Sequence, residues 1–321
     1  MQAIVCNRYG GPDVLRLVEI ATPLPAENEV LLRVRAASVN ALDWRLMRGK
    51  PLIARLMAGG MRRPRHAGVG RDVAGEVVSV GAGVSRFIQG DAVFGACIGA
   101  FAEYACAKID RLVLKPPHVS FESAAAVPIA GITALQALCG SGRVKAGQRI
   151  LIDGASGGVG TFALQIAKAL GAHVTAVCSS ANVDAARAMG ADRVVDYTHE
   201  DFLYDGQRYD LVIGANAHRS IFDYRRALHE DGTYVMAGGG GAQILQGLLL
   251  APLLSLAGRR KLRFIGAKLD TATLHVLQEM LAAGQIVPAI ERRYALHETA
   301  EAVRHVEAGH ARGKTVIVMP G

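Results

Sequence analysis

The stretch LIDGASGGVGTFALQIAKALG, from Leu151 to Gly171, constrains the fold of this chain more than any other segment. An apolar strand pattern runs directly into Gly154, and a helical pattern begins shortly afterwards. Because glycine has no side chain, such a turn either packs a strand tightly against a helix or lets a bulky anion approach the backbone. The spacing Gly154-x-x-Gly157-x-x-Gly160 departs from the strict G-x-G-x-x-G pattern, so the surrounding sequence has to decide between these interpretations.

Strand and helix patterns alternate around this turn from about Ser120 onward. The predicted strands cover residues 149–153, 174–178, 193–196, 211–214, 233–236 and 263–266. The predicted helices between them cover residues 159–170, 182–189, 219–229 and 242–256. This alternation is typical of a parallel sheet with covering helices, so we predict a doubly wound α/β fold of the Rossmann type over residues 122–267. In that context, a glycine turn between a strand and a helix indicates a dinucleotide-binding site.

The two ends of the chain carry a different pattern. Short runs of β-type composition, separated by Gly and Pro, fill the first 120 residues and favour a β-rich, barrel-like domain. Beyond Ala267 we predict two amphipathic helices and two strands, and we expect the closing strand KTVIVM to return to the first domain. Since 321 residues exceed the size at which one core stops growing, we predict two domains, with residues 1–121 and 268–321 together forming the β-rich one.

Composition and charge exclude several classes of protein. With 51% hydrophobic and 20% charged residues, the chain has the composition of a soluble globular protein. Its net charge of +8 favours anionic ligands in general. The basic segment from Arg48 to His66 has no aromatic residue on which bases would stack, so we expect no specific nucleic acid partner. Within it, residues 52–65 are interpreted as a solvated loop or as a lid over a binding cleft.

Targeting and redox chemistry are constrained as well. The N-terminal MQAIVCNRYGG lacks the basic start and the long apolar core of a signal peptide, which favours a cytoplasmic location. Two uncharged stretches, residues 123–142 and 232–258, are interrupted by Gly and Pro, so we expect them to be buried in the protein and not in a membrane. Five cysteines without any C-x-x-C pair predict reduced thiols and no zinc cage.

The glycine turn also predicts the cofactor. Amide groups at a helix start, together with the helix dipole, bind a pyrophosphate where small residues let it approach. The residues predicted to do so are Gly154, Ala155, Gly157, Gly158, Val159 and Gly160. At the end of the second strand, where an acid normally binds the ribose 2′-hydroxyl of NAD, the chain has Ser179, Ser180 and Asn182. Small hydroxyls leave room for a 2′-phosphate, so NADP(H) is predicted over NAD(H), with Arg187 either neutralising the phosphate or lying on the helix surface.

Seven motifs spread over the whole chain carry a resemblance to a known family. They are EVLLRVRAASVNALDWRLMRG, GRDVAGEVVSVGAGVSRFIQGDAVFG, GAFAEYA, AAAVPIAGITALQAL, GASGGVGTFALQIAKALGA, GADRVVDYTHEDF and GHARGKTVIV. In this order they resemble the medium-chain dehydrogenase/reductase superfamily and, within it, the zinc-independent, quinone-oxidoreductase-like branch. The resemblance implies a GroES-like catalytic domain formed by both chain ends, a doubly wound cofactor domain between them, an active site in the cleft, and a homodimer.

The residues at the zinc-ligand positions depart from the pattern of the zinc members. Those members use a Cys and a Gly-His-Glu segment, where this chain has Asn40 and Gly70-Arg71-Asp72. We therefore predict no metal site, and His66 lies near but outside a ligand position. An alcohol or plain ketone needs a Lewis acid to stabilise its oxyanion, whereas a quinone or enone delocalises the charge itself. The resemblance thus implies a small-molecule quinone or α,β-unsaturated carbonyl substrate, reduced by direct hydride transfer from NADPH.

The resemblance further implies roles for residues of the catalytic domain. Asn40 and Asp43 would be catalytic residues on the substrate side near the nicotinamide, with Asn40 donating a hydrogen bond to a carbonyl oxygen. The alternative is that Asn40 caps a helix whose first turn contains Asp43. Trp44 and Arg45 would line the same cleft. The tyrosine that family members often carry in the next segment is missing from RLMRGKP, which leaves the proton donor open.

In the cofactor domain, the resemblance implies further binding residues. Thr133 matches a position beside the nicotinamide ring, or it is a buried helix hydroxyl. Tyr197 matches a position that covers the adenosine ribose and the 2′-phosphate, or it is a strand-end aromatic. Asn216 and Gly238 follow the fourth and fifth strands of the sheet, where we expect backbone contacts to the nicotinamide half. Lys314 either reaches the cofactor's phosphates or is a solvated lysine before a strand.

Three functions are consistent with these observations. The first is an NADPH-dependent reductase of quinones or enones. Ala181 stands where the branch often has a basic residue for the 2′-phosphate, and this departure weakens the preference for NADPH. The second is an NAD(P)-dependent alcohol dehydrogenase. The third is a non-catalytic NADPH-binding protein, with RNA bound through the basic loop as its partner.

Overall fold

The computed structural model describes residues 1–256 and 258–320, which form two compact units. The first unit comprises Met1–Ile129 and Leu269–Gly321, and the second comprises Ala130–Lys268. The sequence prediction drew its boundaries after residues 121 and 267, whereas the structure also assigns the helix over residues 121–126 to the first unit. The chain therefore begins and ends in the same unit.

The first part of the chain is built mainly from β-strands. In chain order its elements are β1 (Gln2–Val5), β2 (Arg16–Glu19), β3 (Glu29–Val39), α1 (Ala41–Arg48), α2 (Ile53–Met57), β4 (Asp72–Val80), β5 (Ala92–Ala96), β6 (Tyr104–Lys108), β7 (Leu112–Leu114) and α3 (Phe121–Ala126). The chain leaves the first unit within α4 (Pro128–Leu135). Proline is tolerated at a helix start, where its missing N–H has no intrahelical partner, so the predicted break at Pro128 becomes the beginning of α4.

Strands and helices alternate in the second unit. After a π-helical segment, Gln136–Gly142, the elements are β8 (Arg149–Asp153), α5 (Gly158–Ala169), β9 (His173–Cys178), α6 (Val183–Ala188), β10 (Arg193–Asp196), β11 (Tyr209–Gly214), α7 (Ile221–Ala227), β12 (Leu228–Met236), α8 (Gly241–Leu256) and β13 (Lys261–Phe264). α7 is shorter than the predicted helix over residues 219–229. Its N-terminus is capped by Ser220, and at its other end Leu228 already adopts an extended conformation.

The six strands of the second unit form one parallel sheet. Their order is β10-β9-β8-β11-β12-β13, which in order of occurrence is 3-2-1-4-5-6. This is the strand order of a Rossmann fold, and it confirms the predicted fold class. The central strand β8 is buried along Ile150, Leu151 and Ile152, as expected for a parallel strand covered on both faces. The order reverses between β8 and β11, and ligands bind at the carboxyl ends of the strands at such a point.

After the second unit, the chain returns to the first sheet. The elements of this segment are α9 (Thr271–Ala282), β14 (Ile290–Ala295), α10 (Thr299–Glu307) and β15 (Lys314–Val318). The strand order is β14-β15-β3-β4-β5-β7, and β6 also pairs with β3. β15 runs antiparallel to β3, with Ile317 opposite Ala37, so the predicted return of KTVIVM to the first domain is confirmed. β3 is therefore an inner strand of this sheet, and its Leu32 and Val34 belong to the core.

The two uncharged stretches of the sequence form ordinary secondary structure. Residues 123–142 contribute to α3, α4 and the π-helical segment, and much of 232–258 lies in β12 and α8. Across the residues that the structure describes, every helix is too short or too polar to span a bilayer.

Candidate functional site

The glycine turn of the second unit joins β8 to α5. Gly154 follows β8 with a φ of +82°, which lies in the left-handed region that favours glycine. A Cβ atom at this position would lie only 2.8 Å from the Cβ of Asn216. At Gly160, inside the first turn of α5, a Cβ would lie 2.1 Å from the carbonyl oxygen of Gly154. Gly154 therefore allows the turn to pack closely against the segment after β11, and Gly160 allows α5 to pack closely against the turn.

Gly157 has a different environment from the two packing glycines. It is the N-cap of α5, and a Cβ built on it would meet only the carbonyl oxygen of Gly154, at 3.5 Å. The first amides of any α-helix have no intrahelical acceptor, and a glycine N-cap supplies no side-chain acceptor. The amides at Gly158 and Val159 are thus left for an acceptor from outside the helix. This open backbone, at the positive end of the helix dipole, fits a pyrophosphate.

The residues predicted around the adenosine ribose lie together at the ends of β9 and β10. The Asn182 side chain is buried and donates a hydrogen bond to Ser179 Oγ at 2.9 Å. The Ser180 and Thr198 hydroxyls lie 2.8 Å apart. Tyr197 is 57% exposed, and its amide donates to the carbonyl oxygen of Cys178 at 3.1 Å. The structure therefore brings Ser179, Ser180, Asn182 and Tyr197 into one cluster.

An acid that the sequence prediction missed stands at the same strand ends. Asp196 is the last residue of β10 and pairs in register with Cys178 of β9. Its carboxylate accepts hydrogen bonds from the Thr198 amide at 3.0 Å and from the Thr198 hydroxyl at 2.7 Å. Hydrogen bonds from the Ser180 and Thr198 side chains lower the pKa of Asp196, so it is ionised near neutral pH. A carboxylate here would oppose, by charge repulsion, any phosphate group that binds at these strand ends.

Arg187 does not contribute to this cluster through a directed contact. Its guanidinium lies 3.4 Å from Asp184, one turn earlier on α6, and its side chain is 65% exposed. Its position therefore agrees with the second of the two predictions, an arginine on the helix surface.

At the switch point of the sheet, the ends of three strands are tied together through the backbone. The Asn216 amide donates to the Asp153 carbonyl oxygen at 3.3 Å, and the Gly238 amide donates to the Gly214 carbonyl oxygen at 3.0 Å. Both amides are therefore used inside the unit, and contacts to a ligand would have to come from the carbonyl oxygens or the Asn216 side chain. Thr133, predicted beside the nicotinamide, is buried in α4.

A half-buried acid directly before the glycine turn, Asp153, was also missed by the sequence prediction. Asp153 Oδ2 accepts a hydrogen bond from the Tyr224 hydroxyl at 2.5 Å. The Tyr224 ring stacks on that of Tyr234, with centroids 4.5 Å apart and planes 7° from parallel. Burial raises the pKa of Asp153, against the hydrogen bond from Tyr224. These contacts anchor the end of β8 to α7 and β12, and they place a titratable group directly before Gly154.

The predicted catalytic residues of the first unit belong to a buried polar network. The Asn40 amide nitrogen donates to Asp72 Oδ2 at 2.8 Å and to the Ser38 carbonyl oxygen at 3.5 Å. Its Oδ1 accepts from Lys314 Nζ at 2.6 Å, and Lys314 Nζ lies 3.5 Å from Asp72 Oδ2. Ser38 and Asp72 are further joined by a hydrogen bond of 2.8 Å from the Ser38 hydroxyl. All the polar atoms of the Asn40 side chain are therefore engaged inside the protein.

Lys314 corrects a prediction. The interpretation as a solvated lysine before a strand is wrong, because its side chain is 2% exposed. Lys314 opens β15, which lies between β14 and β3, and so it is covered by its neighbours in the sheet. Burial lowers the pKa of Lys314 and raises that of Asp72, while each opposite charge favours the ionised form of the other.

Asp43 lies in the first turn of α1 beside this network. Its Oδ2 accepts the backbone hydrogen bond of Asn40 at 2.7 Å, so Asn40 and Asp43 do form the predicted helix start. The Asp43 side chain is almost fully buried. Burial is the main cause that raises the pKa of Asp43, to about 7, and the Asn40 hydrogen bond opposes it. Asp43 thus titrates near neutral pH while its carboxyl group borders a cavity.

That cavity, which we call the α1 pocket, has a volume of about 260 Å³. The residues that line it are Cys6, Asp43, Leu46, Met47, Met57, Ala58, Gly59, Pro64, Arg65, His66, Gly68, Val69, Gly70, Arg71 and Ile98. Part of the predicted lid, residues 52–65, therefore forms one wall. Trp44 and Arg45 are not among the lining residues: Trp44 packs against the core, and the Arg45 guanidinium lies 5.0 Å from the centre of its ring.

Potential metal ligands do not cluster within residues 1–256 and 258–320, the part of the chain that the structure describes. Nowhere in those ranges do three or more His, Cys, Asp or Glu side chains converge in a way that would hold a metal ion. At the positions of the superfamily's zinc ligands, Asn40 and Asp72 are instead bridged by the Lys314 ammonium. The donor set present here fits a cationic side chain, and a metal-free site stays a prediction.

Two family models match this chain. Residues 26–117 match the alcohol dehydrogenase GroES-like domain, and residues 189–317 match the model described as zinc-binding dehydrogenase. Together they cover parts of both units. The second description refers to zinc, whereas the ligand positions of this chain carry Asn40 and Arg71-Asp72.

Individual relatives extend the match to the full length. A chloroplastic quinone oxidoreductase of Triphysaria versicolor is 34% identical over 99% of this chain and 98% of its own. The solved quinone oxidoreductase of Coxiella burnetii is 31% identical, with a TM-score of 0.88 over 100% of this chain and 99% of that chain. The Escherichia coli quinone oxidoreductase, solved in complex with NADPH, is 25% identical, with a TM-score of 0.84 over 99% of this chain and 100% of that chain. From the strand order, the glycine turn and these full-length matches, we conclude that the chain belongs to the medium-chain dehydrogenase/reductase superfamily, in its zinc-independent, quinone-oxidoreductase-like branch.

Proposed function

We propose that this protein is an NADPH-dependent oxidoreductase that reduces quinones or α,β-unsaturated carbonyl compounds by direct hydride transfer without zinc. Family membership supports the coarser part of this proposal, a nicotinamide-dependent oxidoreductase. The observation that carries the proposal is the open backbone at Gly157–Val159, in front of α5 and at the switch point of a Rossmann sheet. The NADPH complex of the Escherichia coli relative supports the choice of cofactor.

The second unit would hold the cofactor, which when bound supplies a hydride. The amides of Gly158 and Val159 would bind the pyrophosphate, with Gly154, Ala155 and Gly160 shaping the turn. At the adenosine end, the proposed contacts come from Ser179, Ser180, Asn182 and Tyr197. At the nicotinamide end, they come from Thr133, Asn216 and Gly238. The carboxylate of Asp196 would oppose a 2′-phosphate bound there, and the proposed preference for NADPH over NADH would have to exceed this repulsion.

The first unit would hold the substrate in the α1 pocket. Addition of a hydride to a quinone or enone leaves an enolate or phenolate that must take up a proton. Asp43 lines the pocket, and because its pKa is raised to about 7 it carries a proton in part of the molecules at neutral pH. A general acid is most effective when its pKa lies near the working pH. We therefore assign the proton donor to Asp43.

Asn40 would act as a positioning residue for this acid. Its backbone N–H holds Asp43 Oδ2, while its side chain is bound to Asp72 and Lys314. Both amide hydrogens of the Asn40 side chain already have acceptors, which disfavours the hydrogen bond to a substrate carbonyl that the resemblance implies. The Lys314 ammonium favours the ionised form of Asp43, against the burial that raises its pKa.

One experiment tests the proposal directly. NADPH and NADH oxidation are followed at the nicotinamide absorbance with a simple quinone and a simple enone, each with and without a strong chelator. We expect chelator-resistant turnover that is faster with NADPH. Turnover that needs stoichiometric zinc would favour an alcohol dehydrogenase, and NADPH binding without turnover of either substrate would favour a non-catalytic role.

The assembly and the location of the protein stay predictions. A homodimer predicts twice the chain's mass of 33.9 kDa by light scattering in solution. A cytoplasmic location is tested by fractionation, and the matched relative from Triphysaria versicolor is named as chloroplastic.

A further inference from the structure

The α1 pocket has an excess of positive charge among its lining residues. We propose that it binds a substrate that carries an anionic group, so that the preferred substrate is a compact enone or quinone bearing a carboxylate or a similar anion. This inference rests on the proposed function and narrows its substrate class.

The positive charges come from Arg65 and Arg71, with His66 beside them. Asp43 is the acid that faces them, and its Oδ2 is bound to the Asn40 amide. Within residues 1–256 and 258–320, no carboxylate oxygen lies within 4 Å of either pocket guanidinium. Guanidinium groups bind carboxylates through paired N–H donors, so the half-buried Arg71 at the cavity wall favours an anionic ligand, and the exposed Arg65 adds to the positive charge there.

Two other arginines of the same basic segment, Arg48 and Arg55, are engaged elsewhere. Arg48 forms a two-point ion pair with Glu307, in which the Nη2–Oε2 distance is 2.9 Å. The Arg55 guanidinium lies 4.9 Å from the centre of the Tyr9 ring and donates to the Met61 carbonyl oxygen at 3.0 Å. The charges of Arg48 and Arg55 are thus satisfied within the protein. Arg65 and Arg71 line the pocket, Arg65 as an exposed residue and Arg71 as a half-buried one, and neither has an ion-pair partner within 4 Å among the described residues.

Backbone hydrogen bonds hold the main chain at both pocket arginines. The Arg65 amide donates to the Ala58 carbonyl oxygen at 3.0 Å, which closes the loop after α2. The Arg71 carbonyl oxygen accepts from the Cys97 amide at 2.8 Å, just before β4 begins. A site whose backbone is fixed in this way loses less entropy when a ligand binds.

The rest of the pocket fits a small carbon skeleton. Leu46, Met47, Met57 and Ile98 form apolar parts of its wall. The volume of about 260 Å³ lies just below the range of pockets that hold drug-sized molecules. The pocket therefore suits a compact molecule with an apolar body and one charged end.

The test compares two substrates that differ mainly in charge. One is benzalacetone with a para-carboxymethyl group, and the other is the methyl ester of the same compound; the methylene group separates the carboxylate from the enone, so the two differ little in intrinsic reactivity. The kcat/KM ratio of the two is measured for the wild type and for Arg71→Gln, Arg65→Gln and Arg63→Gln. Arg63 belongs to the same basic segment but does not line the pocket, so Arg63→Gln is the matched control. Arg71 also lowers the pKa of Asp43, so Arg71→Gln changes the proposed proton donor as well. Such a change affects both substrates alike and cancels in the ratio of their kcat/KM values.

We expect the wild type to prefer the carboxylate by roughly tenfold, as a charge-assisted contact implies. Arg71→Gln should remove most of this preference, Arg65→Gln part of it, and Arg63→Gln none. A wild-type ratio near one, or an unchanged ratio in Arg71→Gln, would overturn the inference while leaving the proposed function intact. If neither compound is reduced with NADPH or NADH, the proposed function fails. In that case, calorimetry of carboxylate and ester binding tests the anion site separately from turnover. The anion site is supported if Arg71→Gln weakens only carboxylate binding. It is refuted if both compounds bind equally.

Discussion

In each unit a strand runs into a helix at the predicted site residues, and the side chains at the helix start decide whether its backbone is covered or open. In the first unit β3 leads to Asn40 and α1, and the Asp43 carboxylate folds back to accept the Asn40 amide. In the second unit β8 leads to Gly157 and α5, where no side chain covers the first amides. A helix start binds its own carboxylate in the first case and is open to an external anion in the second.

This difference also separates the chemistry of the two turns. The turn at Gly157, which we call the open turn, offers only backbone groups. These groups do not titrate, so the open turn suits a ligand that must be held without reacting. The turn at Asn40, which we call the closed turn, holds the buried carboxyl group of Asp43 near Asp72 and Lys314. Burial moves the pKa of Asp43 towards neutrality. A turn that binds an anion thus needs free backbone amides, whereas a turn that holds a proton donor needs a buried carboxyl group.

The largest expected effect is on the closed turn. Replacing Lys314 by Met removes the cation and leaves the Asp72 carboxylate buried without its partner, which should cost about 3–5 kcal/mol in the free energy of unfolding. Denaturant unfolding measures this, with Lys145→Met, at an exposed lysine, as the control. Adding Asp72→Asn to Lys314→Met should recover part of the loss. A wild-type-like midpoint for Lys314→Met alone would contradict a structural role for the network.

Asp43→Asn tests whether the closed turn moves a proton. The amide oxygen still accepts the Asn40 hydrogen bond, but the proton is lost, so kcat should fall by about 10²–10⁴-fold. In the wild type, kcat should decline as the pH rises above about 7, where Asp43 ionises. Steady-state kinetics between pH 5 and 9 is the measurement, with cofactor affinity unchanged. A variant that retains the wild-type pH profile would assign the proton to another group.

The same carboxyl group should make stability depend on pH. The pKa of Asp43 is raised from 3.8 to about 7 in the folded chain, so the folded chain binds this proton more tightly than the unfolded chain. Its contribution to stability is therefore fully present below pH 3.8 and is lost as the pH rises to about 7. Denaturant midpoints measured across that range should fall less steeply in Asp43→Asn than in the wild type. Equal slopes would show that Asp43 has an ordinary pKa.

Closing the open turn should affect the cofactor more than the fold. Gly157→Val fills the space at the start of α5 and should disrupt one charge-assisted contact to the cofactor. Loss of that contact should weaken binding by about 1.5–3 kcal/mol, which raises the cofactor Kd roughly ten- to hundredfold. Fluorescence titration with NADPH measures the affinity. Gly241→Ala is the control, because a Cβ there meets nothing within 4 Å. Unchanged affinity in Gly157→Val would mean that the pyrophosphate binds elsewhere.

The smallest expected effect concerns the choice between the two cofactors. Asp196→Asn removes a negative charge from the cluster of Ser180 and Thr198, which should raise the NADPH-to-NADH ratio of kcat/KM about two- to fivefold. The exposed Asp184, paired with Arg187 on α6, supplies the control Asp184→Asn. A ratio that does not change would place the 2′-phosphate away from Asp196.

Much of the second unit follows from sequence patterns alone. Alternating strand and helix patterns specify a parallel sheet because each element is short and its apolar period depends only on neighbouring residues. Gly160 could be recognised for the same reason, since its packing partners Gly154 and Ala155 lie in the same turn, whereas the partner of Gly154, Asn216, is a neighbour only in the folded sheet. The element bounds are less accurate where a cap decides them, as Ser220 does for α7.

The buried charges of the first unit depend on contacts that sequence patterns do not contain. Lys314 precedes an ordinary strand pattern, and only the pairing of β15 with β3 brings it to Asn40, 274 residues away in the chain. The α1 pocket likewise joins Cys6, Asp43, Arg71 and Ile98. The amino-acid sequence by itself determined the family, the Rossmann sheet and the open glycine turn, since local periodicity and backbone freedom dictate them. Tertiary structure alone decided which charges are buried and which face a cavity, because burial and pKa depend on neighbours that only folding brings together.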